Sequence, residues 1–579
     1  MSAIGAGAQR RRRLVTRTLP IIALASGAFV AGIVVAAGPD APAVGRFLDA
    51  WERREFEAMH AELTADAKGE FPLEEFERIY SETETTASTT SLEAGDVDEE
   101  GDVASARITL RTHAFGTLAG ELRLPLSDSK IEWAPHLAFP GLRDGELLSR
   151  STRAPRRAPI LAADGTPLAE GPAAARTITS SAALAVVGEL GTPEGERAEE
   201  LAAQGFAPGT PAGISGLELA FDERLAGQPG GQLIAAAAAE ESELGGGRVL
   251  AASQPVPGRP VRTTIDPAVQ EAAVIALGGT YGGVAVLDAR RGSVLGLAGL
   301  AYSAPQPPGS TFKIITTTAA LDAGAVELDD EFPVEVSNSE IGREIENAGD
   351  APCGGTFVDS FANSCNTVFA PLGVEVGGEK LVETAESFGF NSPPTLFDRE
   401  ATGKIDPPAS TLPETLESSV EIGETAIGQG QVLATPLEMA SVAQTIANRG
   451  VRMPTAMAKP AALRPNAGPV EVTTPEIATT IRNLMIEVVR RGTGTAAAVP
   501  GIEVAGKTGT AEIGPAPLDP GQELAPGEDP PQEQDAWFAA FAPAEDPKLA
   551  IAVMVVNAEG GGGDVAAPIA QQVLAATLG

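Results

Sequence analysis

Three short polar groups follow one another along the chain: Ser310-Thr311-Phe312-Lys313, Ser364-Cys365-Asn366 and Lys507-Thr508-Gly509-Thr510. A serine hydroxyl is a weak nucleophile at neutral pH and needs a base beside it. Ser310 and Lys313 are three residues apart, so on a helix they share one face and one turn. Pro307-Pro308-Gly309 reads as the turn that starts such a helix, which places Ser310 at its N-terminus. There the free N–H groups and the positive end of the helix dipole favour developing negative charge. The chemistry within reach is acyl transfer, with Ser310 as nucleophile. One S-x-x-K or one K-T-G arises by chance in many chains of this length. All three in order, the first behind a Pro-Gly start, make coincidence a poor explanation.

Elimination supports the same base. The histidines, His60, His113 and His136, all precede Ser310 by more than 150 residues. A Ser-His-Asp triad within the C-terminal half is therefore impossible. With no histidine and 2 cysteines there, an ordinary zinc site is poorly supported, and neither a metal nor a cofactor is expected. Lysine is scarce: of eight in the chain, two stand in the motifs. Lys313 is the natural base for Ser310. His113 and His136 read as structural.

The formal net charge of −37 argues against nucleic-acid binding through a basic surface. Arg10 to Arg13 and Arg17 precede an uncharged apolar stretch, Thr18 to Gly38, whose 21 residues suit a membrane span of ~20 residues. Arginines before it and acidic residues after it place residues 1–17 in the cytoplasm and the rest outside. A cleaved signal peptide, with Val35-Ala36-Ala37 as the cleavage site, is the alternative. Either way the catalytic motifs are extracytoplasmic. Cys353 and Cys365, 12 residues apart, then lie in an oxidising compartment, and a disulfide is expected between them. It would pin the loop carrying Ser364 and Asn366; two buried free thiols are the alternative.

Three folded regions follow the apolar stretch. Residues 41–148 open on an amphipathic helical pattern from Val44 toward Met59 and continue in alternating strand-like runs such as 104–110 and 120–124, an α+β arrangement. An acidic stretch from Asp96 to Asp102 between the runs reads as a loop or hairpin. Residues 149–260 form a second region. From 262 to 579, Gly283–Asp288 and Gly292–Ala298 read as a hairpin of buried strands, and the helix from Ser310 to Ala323 ends at Gly324. The Thr316-Thr317-Thr318 run is a poor local helix former, so packing must hold that helix. Lys507 to Thr510 should lie on a strand edging a cleft, with further strands at 537–543 and 550–556. The stretch from Glu512 to Asp535, rich in Pro, Gly and acid, reads as a loop.

The motif set S-x-x-K, S-x-N and K-T-G is that of penicillin-binding proteins and class A β-lactamases, with Ser-Cys-Asn in the middle position here. The chain resembles class B penicillin-binding proteins over nearly its whole length after residue 38. Besides the three motifs, Ile427-Gly428-Gln429-Gly430, Ala434 to Ala440 and Gly492 to Ala496 fit that family. Trp133 to Leu142 is similar to the end of an NTF2-like domain found in a subgroup of it. Arg156 to Ala169 looks like the family's linker into its dimerisation, or pedestal, domain, to which Gly216-Leu217-Glu218 and Phe221 to Gly227 also correspond. Most members carry Asp-Arg where Ala162-Ala163 stand here, which weakens any salt bridge at that point.

The resemblance implies a multidomain α+β protein: a membrane anchor, an NTF2-like domain, a pedestal domain, and a transpeptidase domain of the serine β-lactamase type, an antiparallel sheet flanked by helices. It implies a D,D-transpeptidase that cross-links peptidoglycan stem peptides ending in D-Ala-D-Ala and is acylated by β-lactams. Ser310 would attack, with Lys313 as base. Ser364 would relay a proton, Asn366 would hold Lys313 and the substrate, and Lys507, Thr508, Gly509 and Thr510 would bind the substrate carboxylate. No room remains before 262 for a glycosyltransferase domain, so a separate glycosyltransferase would be a partner, along with the cell membrane. The competing readings are a D,D-carboxypeptidase or β-lactamase, and a β-lactam sensor or cell-wall scaffold without turnover.

Overall fold

The computed structural model describes residues 42–237, 247–398, 407–515 and 532–579. The expected membrane segment, 18–38, lies outside these residues; no described helix is long and apolar enough to cross a membrane. The chain divides into two units: one of residues up to 76, 94–107 and 123–133, the other of residues 77–93, 108–122 and 134–579.

In the first unit the helix Ala43–Glu52 buries Val44, Phe47, Leu48 and Trp51, an i, i+3, i+4, i+7 stripe. Trp133 packs against Phe76 and Phe71, with ring centroids 4.7 and 5.1 Å away. Glu62 accepts from Arg46 and Lys130, and these two cations, Arg46 foremost, hold its carboxyl at about 2. The stretch read as a loop or hairpin at 96–102 is the hairpin: strand Thr89–Glu100 meets Val103–Thr112. These strands belong to a four-stranded sheet in chain order with Gly116–Ser127 and Lys130–Ile131.

In the second unit Glu146–Arg153 pairs antiparallel with Gly230–Ala237 and spans the expected junction at 148–149. Beside it lies a buried ion network that the sequence reading missed. Arg157, 2% exposed, donates to Glu218 and Asp222, each 1% exposed. Arg176 reaches the other oxygen of Glu218 at 2.7 Å, and Arg197 that of Asp222. Both carboxylates lie in the quoted stretches Gly216-Leu217-Glu218 and Phe221-Asp222, so those short matches preserve a charge network. At Ala162-Ala163 the backbone makes the connection instead: the Ala163 carbonyl accepts from Lys459 and Arg262 at 2.6 and 3.1 Å. Removing the central cation leaves two carboxylates buried and under-compensated. Arg157→Met is expected to cost about 3–5 kcal/mol of stability, read by urea unfolding; a loss below ~1 kcal/mol would mean the network is already solvated.

The sheet that positions the motifs has five antiparallel strands, in the order Val294–Gly299, Gly282–Asp288, Leu549–Val555, Gln532–Ala542 and Ala505–Pro515. Its central strands are apolar on both sides because both faces are covered. Val284 and Val286 join the core with helices Pro267–Leu277 and Ala566–Leu578. Ala285 and Leu287 join the opposite core, which includes Ile314, Ile315 and helix Pro436–Ala447. The motif helix sits in that second core. Its threonines are buried, and Thr316 and Thr318 satisfy their hydroxyls on Ala426 O and Ile314 O. Tertiary packing thus overrides weak propensity.

Two sequence expectations need adjusting. The motif helix opens as a 3-10 turn, Gly309–Phe312, before the α-helix Lys313–Ala323, capped by left-handed Gly324. The expected loop from Glu512 to Asp535 is too long. Antiparallel pairing continues past a bulge between Glu512 and Gly514 to Pro515 opposite Gln532. Asp535 is buried within the ladder and accepts from Asn557 N. Acidic composition marked a loop here, but backbone pairing carried the strands further. Residues 516–531 lie outside the described residues.

Candidate active site

Ser310 is placed by the close approach of three backbones. Gly309 has φ +52°, and a Cβ there would lie 2.5 Å from the Thr510 carbonyl oxygen. Its N–H donates to Gly428 O at 3.0 Å. Gly428, at φ +74°, has no room for a side chain against Gly309 and Phe312. Glycine is therefore required in both Pro-Pro-Gly309 and Ile427-Gly428-Gln429-Gly430. The turn that carries Ser310 is thereby set against the strand that carries Thr510. Ser310 is half-buried, and its hydroxyl makes no hydrogen bond among the described residues.

Lys313 follows one turn later and is fully buried. Its Nζ donates to Ser364 O at 2.7 Å and to Asn366 Oδ1 at 2.7 Å, and lies 3.3 Å from Ser364 Oγ. The carbonyl acceptors and the Phe369 ring, 5.2 Å away, favour an ammonium. Complete burial and the neighbouring Lys507 charge outweigh them and bring the amine well below its ordinary value. Two N–H groups on two carbonyl oxygens leave a neutral amine with its lone pair free, which is the state a base needs.

Lys507 is likewise fully buried, and burial brings it down to about 7. It donates to Ser364 Oγ at 2.8 Å and to Thr508 O at 3.1 Å. Ser364 therefore bridges the two lysines. It has φ +62°, a region serine rarely enters and which costs of order 1–3 kcal/mol. The surroundings fix it. Helix Phe357–Ala362 precedes it and Asn366–Val376 follows, Ser364 N bonds Phe361 O, and Cys365 N bonds Ser360 O. Cys365 is bonded to Cys353, with Cα atoms 5.3 Å apart. Asn366 is held from its other side by Nδ2 donating to Glu346 O at 2.8 Å.

A disulfide spanning so short a segment contributes about 3 kcal/mol in the chain-entropy model. Here it also clamps the strained Ser364. Replacing both cysteines by serine is expected to lower thermal stability and to slow acylation of Ser310 by ~10-fold, read by fluorescent penicillin uptake. An unchanged acylation rate would separate the disulfide from the site's geometry.

Thr508 and Thr510 differ in exposure. Thr508 is buried, and its hydroxyl lies 2.5 Å from that of Thr493. Thr510 is half-buried, its Oγ1 accepting from Gly562 N at 3.3 Å. Gly509 packs against the Pro308 carbonyl. The structure thus brings Ser310, Lys313, Ser364, Asn366, Lys507, Thr508, Gly509 and Thr510 into one cluster. Thr493 and Gly562 are additions to the sequence reading. Gly492-Thr493-Gly494-Thr495 was visible as a motif, but nothing in it revealed that Thr493 fixes the Thr508 hydroxyl. Gly562, in the run Gly560 to Gly563, carried only the signal of four adjacent glycines. Among the described residues no group of three or more His, Cys, Asp or Glu side chains converges as a metal site requires.

A half-buried serine one turn before a buried lysine, a second lysine on an edge strand and a serine between the two lysines form the arrangement expected of a penicillin-recognising acyl-transfer site on an antiparallel sheet. Residues 282–575 match the family model for the penicillin-binding protein transpeptidase domain, and 171–263 that for the penicillin-binding protein dimerisation domain. The chain belongs to the penicillin-binding protein transpeptidase family. It is similar to the peptidoglycan D,D-transpeptidase PbpA of Mycolicibacterium smegmatis, 37% identical over 300 residues covering 48% of this chain and 56% of that one. The corresponding protein of Mycobacterium tuberculosis is 36% identical over 310 residues, covering 49% of this chain and 57% of that one. The chain thus spans a little over half the length of these curated relatives. Among solved structures, the penicillin G acyl-enzyme complex of penicillin-binding protein A from M. tuberculosis aligns with a TM-score of 0.54 at 28% identity, covering 73% of this chain and 100% of that one.

Proposed function

We propose that the chain is a serine D,D-transpeptidase that cross-links peptidoglycan stem peptides through a Ser310 acyl-enzyme. The observation that carries this reading is the Ser364 hydroxyl bridging two fully buried lysines, 2.8 Å from Lys507 and 3.3 Å from Lys313. Ser310 Oγ attacks the carbonyl carbon of the penultimate D-Ala and passes its proton to neutral Lys313. The oxyanion is held by the N–H groups of Ser310 and Thr510, each such donor being worth ~3–4 kcal/mol. On collapse the C–N bond breaks, and the departing D-Ala amine receives a proton through Ser364. An acceptor amine from a neighbouring stem peptide then attacks the ester, gives up its proton along the same route, and releases Ser310. Lys507, Thr508, Gly509 and Thr510 bind the substrate carboxylate, Thr508 held in place by Thr493. A β-lactam follows the same first step, its leaving nitrogen remaining tethered.

The family membership and the acyl-enzyme structure of a relative support this reading. In the same proposal residues 18–38 anchor the protein in the cell membrane with a cytoplasmic N-terminus, residues 41–148 form an NTF2-like domain, 149–260 a pedestal and 262–579 the transpeptidase domain. A separate glycosyltransferase supplies the glycan strands. Intact-mass analysis after exposure to penicillin tests the acylation: one adduct on the peptide containing Ser310 is expected, and an unmodified chain would sink the proposal.

A further inference from the structure

Helix Pro436–Ala447 begins like helix Ser419–Ala426 but ends its first turn differently. In the latter, Ser418 and Glu421 form a reciprocal capping box. In the former, Thr435 accepts from Glu438 N, but no bond returns from the Glu438 carboxyl. Glu438 is 6% exposed, and its buried Oε1 has no hydrogen-bond partner. The carboxyl borders a cavity of about 220 Å³ whose lining includes Ser441, Arg452, Thr455, Pro394 and Met453. None of these belongs to the Ser310 site.

Arg452 is the complementary oddity. Its guanidinium makes no hydrogen bond or ion pair among the described residues, although it is close enough to pull down the Glu438 pKa. Both groups flank Gly389, which has φ +126°, and a Cβ there would collide with Arg452 Nη1 and Glu438 Oε1. The missing side chain at 389 lets the two charged ends lie against the same stretch of backbone, yet they form no ion pair among the described residues. A buried carboxyl left unpaired is costly, and so large a cavity exceeds the ~10–15 Å³ that one water needs.

We propose that this cavity binds a free α-amino acid with a small apolar side chain, its ammonium on the Glu438 carboxylate and its carboxylate on the Arg452 guanidinium. An α-amino acid carries its two charges on either side of one carbon, matching two opposite charges that flank one glycine. The Pro394 and Met453 walls accept a methyl group, while Ser441 and Thr455 put hydroxyl side chains in the same lining. A phosphate or a dicarboxylate would face Glu438 as a like charge, and a metal ion would find one carboxylate and a guanidinium. Burial raises the Glu438 carboxyl to about 7, so binding strengthens as pH rises through 7 and the carboxylate forms. The particular amino acid that the proposed reaction releases is D-alanine; that identification rests on the proposed function, while the binding does not.

The test is calorimetric titration of the full chain with D-alanine, before and after Ser310 is blocked by penicillin. One saturable site is expected in both states, with glycine and L-alanine binding within a few-fold. Methylamine and acetate, each carrying one of the two charges, should bind at least tenfold more weakly. Glu438→Gln and Arg452→Gln should each weaken D-alanine binding at least tenfold while leaving the rate of penicillin labelling unchanged, and Glu438→Gln, which removes a buried unpaired carboxyl, should not lower the unfolding temperature. Met453→Trp, which fills the cavity from its apolar wall, should abolish binding independently of charge. No saturable binding, binding lost on acylation, or binding indifferent to these substitutions would overturn the proposal. Failure of penicillin labelling in the wild type would instead count against the proposed function, leaving the cavity to be judged by the titration.

Discussion

Ser310→Ala is expected to abolish covalent uptake of a fluorescent penicillin, lowering acylation by at least ~10³-fold, as removal of a catalytic nucleophile does. The substitution isolates chemistry from folding because the Ser310 hydroxyl makes no hydrogen bond among the described residues. The turn around it is held by backbone contacts of Gly309 with Gly428 and Thr510, which alanine at 310 leaves alone. The variant should therefore unfold within about 0.5 kcal/mol of the wild type, as a substitution away from special contacts does. Label that persisted in the variant would place the nucleophile elsewhere.

Lys313→Gln is the second large effect. Glutamine keeps a polar N–H donor on the same buried path, one bond shorter than lysine, but it cannot take a proton. Acylation is expected to fall by ~10²–10⁴-fold, the range for a lost general base. The wild-type rate should rise with pH through neutrality. Burial brings Lys507 to about 7 and Lys313 well below its ordinary value, and the two titrate as a coupled pair. At acidic pH Lys313 is an ammonium and cannot deprotonate Ser310; as pH rises the pair loses its first proton and the base appears. The rising limb should vanish in Lys313→Gln. The same depressed values act on stability. Between about 7 and the ordinary lysine value of ~10.4 the unfolded chain binds more protons than the folded one, so stability rises with pH across that window. Wild type should gain on Lys313→Gln as pH is raised through it. A flat rate profile for the wild type would show that the lysine is not the base.

Much of this site was legible in the sequence because each motif is local. Ser310 and Lys313 lie on one turn, Ser364 and Asn366 flank one helix start, and Lys507 to Thr510 run along one strand. The absence of histidine from the C-terminal half pointed to lysine as the base by elimination. What could not be read are contacts between segments far apart in sequence. Thr493 meets Thr508 across fifteen residues of sequence, next to Gly494, which packs closely against Val488 and Phe538. Arg157 finds Glu218 and Asp222 more than sixty residues on. The first turn of the Ser310 helix departs from α geometry where Gly309 bonds Gly428. The loop at 512–535 was overextended because composition reports polarity, whereas strand length here follows the partner strand.

The most direct test of the central claim is turnover of a stem peptide ending in D-Ala-D-Ala, with and without an acceptor peptide bearing a free amine, following both free D-alanine and cross-linked product by mass spectrometry. D-alanine release that depends on Ser310 is expected, with a cross-linked product whenever the acceptor is present. Release of D-alanine with only hydrolysed peptide, at any acceptor concentration, would contradict it.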